Sequence, residues 1–561
     1  MDEAVKIAGE IQSGLGPRAL AVEQKSASLV VASVAAADLP AAAEFLDRTM
    51  DARFVISVGT DYRPSGDGFR VDHIFSQDRR KTWIFLRARA SGEKPSVPSI
   101  TPRVPAANWA EREFQDLLGI RAEGHPDPRR LVLADDWPAD LHPLRRDFRY
   151  DFHPAPAAGQ APKMAEPSGN AVAVPIGPFF PVLEEPAFLK VFANGEDVVG
   201  IDYRGFFNHR GIEKLGDSKL TYNEIPFIAE RICGICGLVH STAYVQAVED
   251  AAGIQTPLRA RYIRSILLEL ERTHSHLLWL GIAGHILGFD TVLMQCWRMR
   301  EPLMWLMEKI TGNRKTFGTN IIGGVRRDIP KEIHPEILRA LDEIEREWRQ
   351  VISAVSDDTS LLMRLSRVGV IPPDDARRLG SVGPTGRGSN QPIDARIDHP
   401  YAAYDRIEPR GVWKEEGDSA ARTRVRLEET LESIRQIRQL LAELPEGPIS
   451  VPVNDPIPAG LEAISAVEAP RGEVVHYVVT GEDARPYRWR VRAPTYANLQ
   501  TLEKLVQGMT IADVPIALGS LDPCFSCTER MQVIDIRAGT KRVFSPDDLR
   551  NMLRRKGVGR R

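Results

Sequence analysis

Two Cys-x-x-Cys pairs constrain this chain more than any other feature. Cys233-Gly-Ile-Cys236 and Cys524-Phe-Ser-Cys527 are separated by 287 residues. Two residues between thiolates let both sulfurs address one metal, and four soft thiolates select zinc, nickel, copper(I) or iron–sulfur over magnesium or calcium. Pairs in a structural zinc ribbon usually lie about 15–20 residues apart, so this gap argues against one. A thioredoxin-like dithiol needs a pair beside a βαβ pattern, and neither pair sits in one. A catalytic metal site pinned between the two ends of a helical domain fits best, with structural zinc as the next reading. The fifth cysteine, Cys296, lies among Met294, Trp297 and Met299 and reads as a buried core residue.

Composition removes several alternatives. Five cysteines in 561 residues exclude a disulfide scaffold and fit a reducing compartment. A formal net charge of −3 gives no case for a nucleic-acid partner. The apolar run 29–37 is far short of the ~20 residues that span a bilayer. Asp2 and Glu3 stand where a signal peptide would be basic, so a cytoplasmic protein is expected, with any membrane attachment supplied by partners.

The pattern along the chain predicts an α+β protein: a small N-terminal α/β domain, then a mostly helical domain with minor sheet. Residues 1–28 read as an N-terminal extension. Within a first domain at 29–152, strands are expected at 29–34, 54–58, 69–75 and 82–88, and a helix at 106–119 that stops at Gly119. Residues 153–172, rich in Pro, Ala and Gly, read as a linker. Beyond it, apolar residues at i, i+3, i+4 spacing predict helices at 257–281, 296–312, 331–356 and 420–443. Strands are expected at 474–479, 489–492 and 531–536.

The flanks of the cysteine pairs resemble a known family. Arg231-Ile-Cys233-Gly-Ile-Cys236-Gly-Leu-Val-His240 and Asp522-Pro-Cys524-Phe-Ser-Cys527-Thr-Glu-Arg530 resemble the two signatures of nickel–iron hydrogenase large subunits. The resemblance implies the reaction H₂ ⇌ 2H⁺ + 2e⁻ on a centre of nickel and of iron bearing CO and cyanide, with magnesium as a further candidate cofactor. Cys233 and Cys524 would then be terminal nickel ligands and Cys236 and Cys527 the bridging pair. A terminal thiolate such as that of Cys524 could accept a proton. Glu468-Ala-Pro-Arg471-Gly resembles the segment whose arginine hangs over the iron ligands, where Arg471 would pair with Asp522. His209-Arg-Gly-Ile-Glu213-Lys resembles the segment supplying a first proton-relay carboxylate, here Glu213. His240 would donate a hydrogen bond to a cysteine sulfur, although a satisfied core histidine is an equal reading.

The first domain resembles the C subunit of respiratory complex I in Glu111-Arg-Glu-Phe-Gln-Asp-Leu-Leu-Gly-Ile120, Gly124-His-Pro-Asp-Pro-Arg-Arg130 and His142-Pro-Leu-Arg-Arg-Asp-Phe148, and the region around 222–229 resembles its D subunit. Such fusions occur in complex I and in group 4, membrane-associated hydrogenases of the formate hydrogenlyase type. The retained thiols favour the hydrogenase at 173–530. Gly177-Pro-Phe-Phe-Pro181 lacks the histidine of the quinone-site loop, which weakens the alternative of a quinone-reducing or structural subunit without nickel. In this family a maturation protease removes a C-terminal extension; here 531–561, with nine Lys/Arg against three Asp, would be released by cleavage between Arg530 and Met531. One spare cysteine cannot hold an electron-transfer chain. The implied partners are therefore an iron–sulfur small subunit, a ferredoxin-like subunit and hydrophobic membrane subunits, which would hold the chain peripherally on the cytoplasmic face of the inner membrane. Its electrons would come from a partner such as formate dehydrogenase.

Overall fold

The computed structural model describes residues 3–157, 163–177, 187–206, 209–316, 318–453 and 456–525, with the backbone of Ile534–Asp535 and Thr540–Lys541. The chain is α+β, and the helices of its second half wrap a small sheet that carries part of the candidate site.

A five-stranded sheet comes first, in the spatial order Ala19–Ser26, Leu29–Val34, Thr82–Ala90, Phe69–Gln77, Arg53–Asp61. Only Leu29–Val34 and Thr82–Ala90 run parallel; the other neighbours are antiparallel. The four strands from Leu29 onward contain those expected from alternation, and the Asn108–Leu118 helix ends at Gly119 as its left-handed cap requires. Residues 3–26, read above as an extension, belong to this sheet's structure. The Glu3–Leu15 helix buries Ala4, Ile7, Ile11 and Leu15 along one stripe. Ala19–Ser26 pairs with Leu29–Val34 across a two-residue turn. As an edge strand it buries little side chain, so it lacks the apolar alternation that marked its neighbours.

Residues 153–157 and 163–171 contain no helix or strand. A three-stranded antiparallel sheet follows (Val172–Ile176, Phe188–Asn194, Asp197–Arg204). The helical body is built on Leu258–Ile286, which packs against both Asp290–Thr311 and Ser419–Ala442. A second antiparallel sheet, Glu462–Ala469, Gly472–Thr480 and Pro486–Arg492, packs under the buried Gly237–Ala252 helix. The strand expected at 531–536 lies outside the described residues, apart from the backbone pair Ile534–Asp535.

Ion pairs join the two sheets. Arg53 bonds both Glu473 oxygens at 3.0 and 2.9 Å, and Arg70 and Arg87 each reach Glu462 at 2.7 Å. Arg53 and Glu473 are almost fully buried. Removing one member of such a pair costs about 3–5 kcal/mol, so these contacts fix how the sheets meet.

A buried thiol centre and its arginine cradle

Cys233 and Cys236 sit in the turn that opens the Gly237–Ala252 helix. The backbone N–H groups of Ile235 and Cys236 donate to Cys233 Sγ at 3.4 and 3.3 Å, which curls the turn so that the two sulfurs lie 3.0 Å apart. Glu271, from the Leu258–Ile286 helix, accepts from the N–H groups of Leu238 and Val239 and so anchors the turn. The third thiol arrives from the far end of the chain. After the Val514–Ser520 helix, Asp522 adopts φ +55°, and the Cys524 N–H donates to Thr495 Oγ1 at 3.1 Å. Cys524 Sγ then lies 3.3 Å from Cys233 Sγ. The long-range closure demanded by the cysteine spacing is therefore present for three of the four thiols.

Cys527 lies outside the described residues, as do Arg530, the 531–561 tail apart from the backbone of 534–535 and 540–541, and residues 178–181 of the quinone-loop comparison. The described residues alone contain no complete metal-holding group. The donor set is nonetheless that of a soft-metal site. All three sulfurs are buried, and two thiolates sharing one metal at about 2.3 Å lie within about 4.6 Å of each other. Contact with Cys233 and burial push the Cys236 thiol well above its ordinary value. Several adjacent buried thiolates are stable only with a cation among them.

Arg471 occupies the turn between Glu462–Ala469 and Gly472–Thr480. Its Nε donates to the Asp522 carbonyl at 2.8 Å, its Nη2 to Asp522 Oδ1 at 2.7 Å, and its Nη1 reaches Ser275 Oγ at 3.4 Å. Burial opposes the charge, but Asp522 and then the three cysteines hold the guanidinium well above its usual range. For Asp522, burial outweighs Arg471 and pushes the carboxyl up. The turn is pressed onto the Val382–Gly383 backbone, and a Cβ on Gly472 (φ +126°) would stand 2.7 Å from the Gly383 nitrogen. Only glycine allows that approach.

His240 lies one turn into the Gly237–Ala252 helix, fully buried. Trp489 Nε1–H, a donor only, gives its hydrogen bond to His476 Nδ1 at 3.1 Å, which assigns the His476 proton to Nε2. That proton is donated to His240 Nδ1 at 3.1 Å, so His240 carries its own on Nε2. His240 Nε2 has no hydrogen-bond partner among the described residues. Burial holds His240 down at about 4, against the pull of Cys233, so the ring is neutral at pH 7.

Glu213 has different company. It opens the Ile212–Ser218 helix, and its carboxylate accepts from Arg488 at 2.7 Å, from Arg490 at 3.0 Å and from the Val491 N–H at 3.0 Å. Arg490 also bonds both oxygens of Glu113 in the first domain. Although burial disfavours the charge, Arg488 and Arg490 hold Glu213 below the usual carboxylate range, a state that takes up a proton poorly at neutral pH. Glu213 and Ile232, the neighbour of Cys233, line one cavity of about 80 Å³.

Sequence reasoning missed Ser275, Thr495, Glu271, and the Trp489–His476 donor pair. The only sequence signal at any of them is a polar residue within an apolar element.

Family models agree with this architecture. Residues 32–153 match the respiratory-chain NADH dehydrogenase 30 kDa subunit, 210–285 the nickel-dependent hydrogenase family, and 287–459 and 453–530 the respiratory-chain NADH dehydrogenase 49 kDa subunit. Formate hydrogenlyase subunit 5 of Escherichia coli K12 is 41% identical over 91% of this chain and 90% of its own length. Hydrogenase-4 component G of the same organism is 40% identical over 89% and 88%. The chain belongs to the large-subunit family of membrane-bound hydrogenases of the formate hydrogenlyase and hydrogenase-4 type. As a hydrogenase it is an oxidoreductase. A solved chain of the membrane-bound sulfane sulfur reductase, an archaeal respiratory membrane complex, superposes with a TM-score of 0.61 at 31% identity, covering 64% of this hydrogenase chain and 99% of that one. The fold is thus shared with complex I-type subunits. Among the described residues of this hydrogenase, no helix is long and apolar enough to cross a membrane.

Proposed function

We propose that this chain is the catalytic subunit that interconverts dihydrogen with two protons and two electrons, working as a proton reductase. Convergence of Cys233, Cys236 and Cys524 beneath the Arg471–Asp522 pair is the observation that carries the reading. Cys527 would complete the ligand set. When bound there, nickel, with iron bearing CO and cyanide, supplies the low-valent soft centre at which dihydrogen is split heterolytically or formed.

The chain's own groups have separable tasks. Arg471 presents a fixed positive charge to the thiolate pocket, and Asp522 orients it. His240, its tautomer set by His476 and Trp489, offers Nε2–H to a cysteine sulfur, which steadies the thiolate without adding charge. Terminal thiolates, Cys524 first, hold a proton beside the metal. For Glu213 the geometry favours anchoring: a proton passing through it would first have to displace Arg488 or Arg490. Magnesium remains part of the proposal without assigned ligands.

Electrons would arrive through an iron–sulfur small subunit and a ferredoxin-like subunit from a partner such as formate dehydrogenase. Hydrophobic subunits would hold the chain peripherally on the cytoplasmic face, and a maturation protease would release 531–561. Nickel per chain in the complex isolated anaerobically tests the reading. About one nickel, abolished together with hydrogen turnover in Cys527→Ser, is expected. An intact complex without nickel would leave the complex I-like structural subunit, which the NADH dehydrogenase matches favour, as the better account.

A further inference from the structure

The Ser419–Ala442 helix turns two arginines, Arg422 and Arg426, into the protein interior. Arg422 is fully used: Nε donates to Ser520 Oγ at 2.9 Å, Nη1 to the Gly417 carbonyl at 2.8 Å and Nη2 to the Gly369 carbonyl at 2.6 Å. Arg426 is not. It is 1% exposed, yet only Nη1 is engaged, with the Arg422 carbonyl at 3.1 Å. Its Cζ lies 4.1 Å from the centre of the Trp279 ring, a cation–π contact that holds the guanidinium against the ring. Nε and Nη2 have no hydrogen-bond partner among the described residues.

Arg426 lies one helical turn beyond Arg422, whose Nε reaches Ser520, two residues before Asp522. Asp522 is the strongest favourable charge acting on Arg426, followed by Glu429, while Arg471 and Arg387 oppose it. Glu429 is already bonded by Arg387 at 2.7 Å and by His276 at 3.0 Å. Asp522 spends Oδ1 on Arg471, and its Oδ2 has no hydrogen-bond partner among the described residues. Asp522 thus has one oxygen paired with Arg471 and one without a partner among the described residues, and Arg426, which acts on it through space, has two donors without partners there. A buried cation left without its own anion is strongly destabilising, and orphaned donors add to the cost. An anionic occupant of the pocket would remove both costs. Four thiolates balance two divalent metals, and each cyanide then adds one negative charge.

We propose that Arg426 is a second guanidinium of the metal pocket, held by Trp279 and the Arg422 carbonyl so that its Nε–H and Nη2–H donate to the anionic group on the cysteines, either directly or through Asp522 Oδ2. This rests on the proposed function and extends it. Arg471 alone neutralises Asp522; Arg426 supplies the charge that matches the centre itself.

The test uses the whole complex, isolated anaerobically, with nickel content and the infrared stretching bands of the iron-bound diatomic ligands as readouts. Arg426→Gln should keep nickel near one per chain, shift those bands and lower hydrogen turnover at least tenfold. Arg426→Lys, which restores charge but not the paired donors, should shift the bands less. Unchanged bands in either nickel-loaded variant overturn the proposal. So does an Arg426→Lys complex that fails to assemble, since a residue needed only for packing would behave that way. Absence of such bands from the wild-type complex overturns the proposed function and this inference together, whereas bands present but insensitive to Arg426 remove the inference alone.

Discussion

Arg471→Lys separates the charge of the cradle from its shape. The guanidinium uses three nitrogens, two on Asp522 at 2.8 and 2.7 Å and one on Ser275 at 3.4 Å. A lysine ammonium is one point on a flexible stem and can keep only one of the two Asp522 bonds. The loss is then one charge-assisted hydrogen bond, about 1.5–3 kcal/mol, and the longer Ser275 contact, about 0.5–1 kcal/mol. Expressed fully in the transition state, a total of about 2–4 kcal/mol slows turnover about 30- to 1,000-fold at 1.36 kcal/mol per decade. Hydrogen evolution from a chemically reduced dye, which bypasses the electron-donating partner, measures this in the isolated complex, with nickel assayed in parallel. The expected result is the slow rate with nickel retained. A wild-type rate would refute the claim that the fixed fork, rather than the charge alone, serves the pocket. A slow rate explained by lost nickel would instead assign Arg471 to metal retention.

Other perturbations follow from the same geometry. Glu213→Gln should destabilise the chain by about 3 kcal/mol through Arg488 and Arg490, seen as a lower thermal midpoint; a normal midpoint with turnover lost would restore the relay reading. Gly472→Ala forces a Cβ against the Val382–Gly383 backbone and should cost about 3 kcal/mol while displacing Arg471, so full nickel loading and stability would contradict the close approach. Burial pushes His73 in the first sheet down to about 3, below the unfolded value of 6.5. Folding therefore favours its neutral form: that stability is present above about pH 6.5 and is lost toward pH 3 by about 1.4 kcal/mol per unit. Thermal unfolding of the complex between pH 6.5 and 4.5 should be less steep in His73→Gln, and parallel curves would count against it.

Much of the helical body was legible because its signals are local. Apolar spacing located the long helices, and Gly119 stopped the shorter helix of the first domain, since both signals depend on residues within a few positions. The edge strand Ala19–Ser26 escaped because its pairing shows in backbone hydrogen bonds rather than in side-chain alternation. The charges of the 420–443 segment looked like the polar residues of an amphipathic helix, yet Arg422, Arg426 and Glu429 are buried against the Leu258–Ile286 helix and its neighbours.

The chemistry of the centre was set by the sequence itself: cysteines in pairs, with an arginine and an aspartate in their motifs, declare soft-metal binding because ligand type and spacing are covalent facts. Tertiary structure alone decided which charges are buried, which carboxylates pair and which donors are left over. Cys233 meets Cys524, Arg471 meets Asp522 and Ser275, and Arg426 is buried with two donors left over among the described residues, only after distant elements pack. The energy of a buried charge depends on its desolvation and its neighbours, and neither exists until the chain has folded.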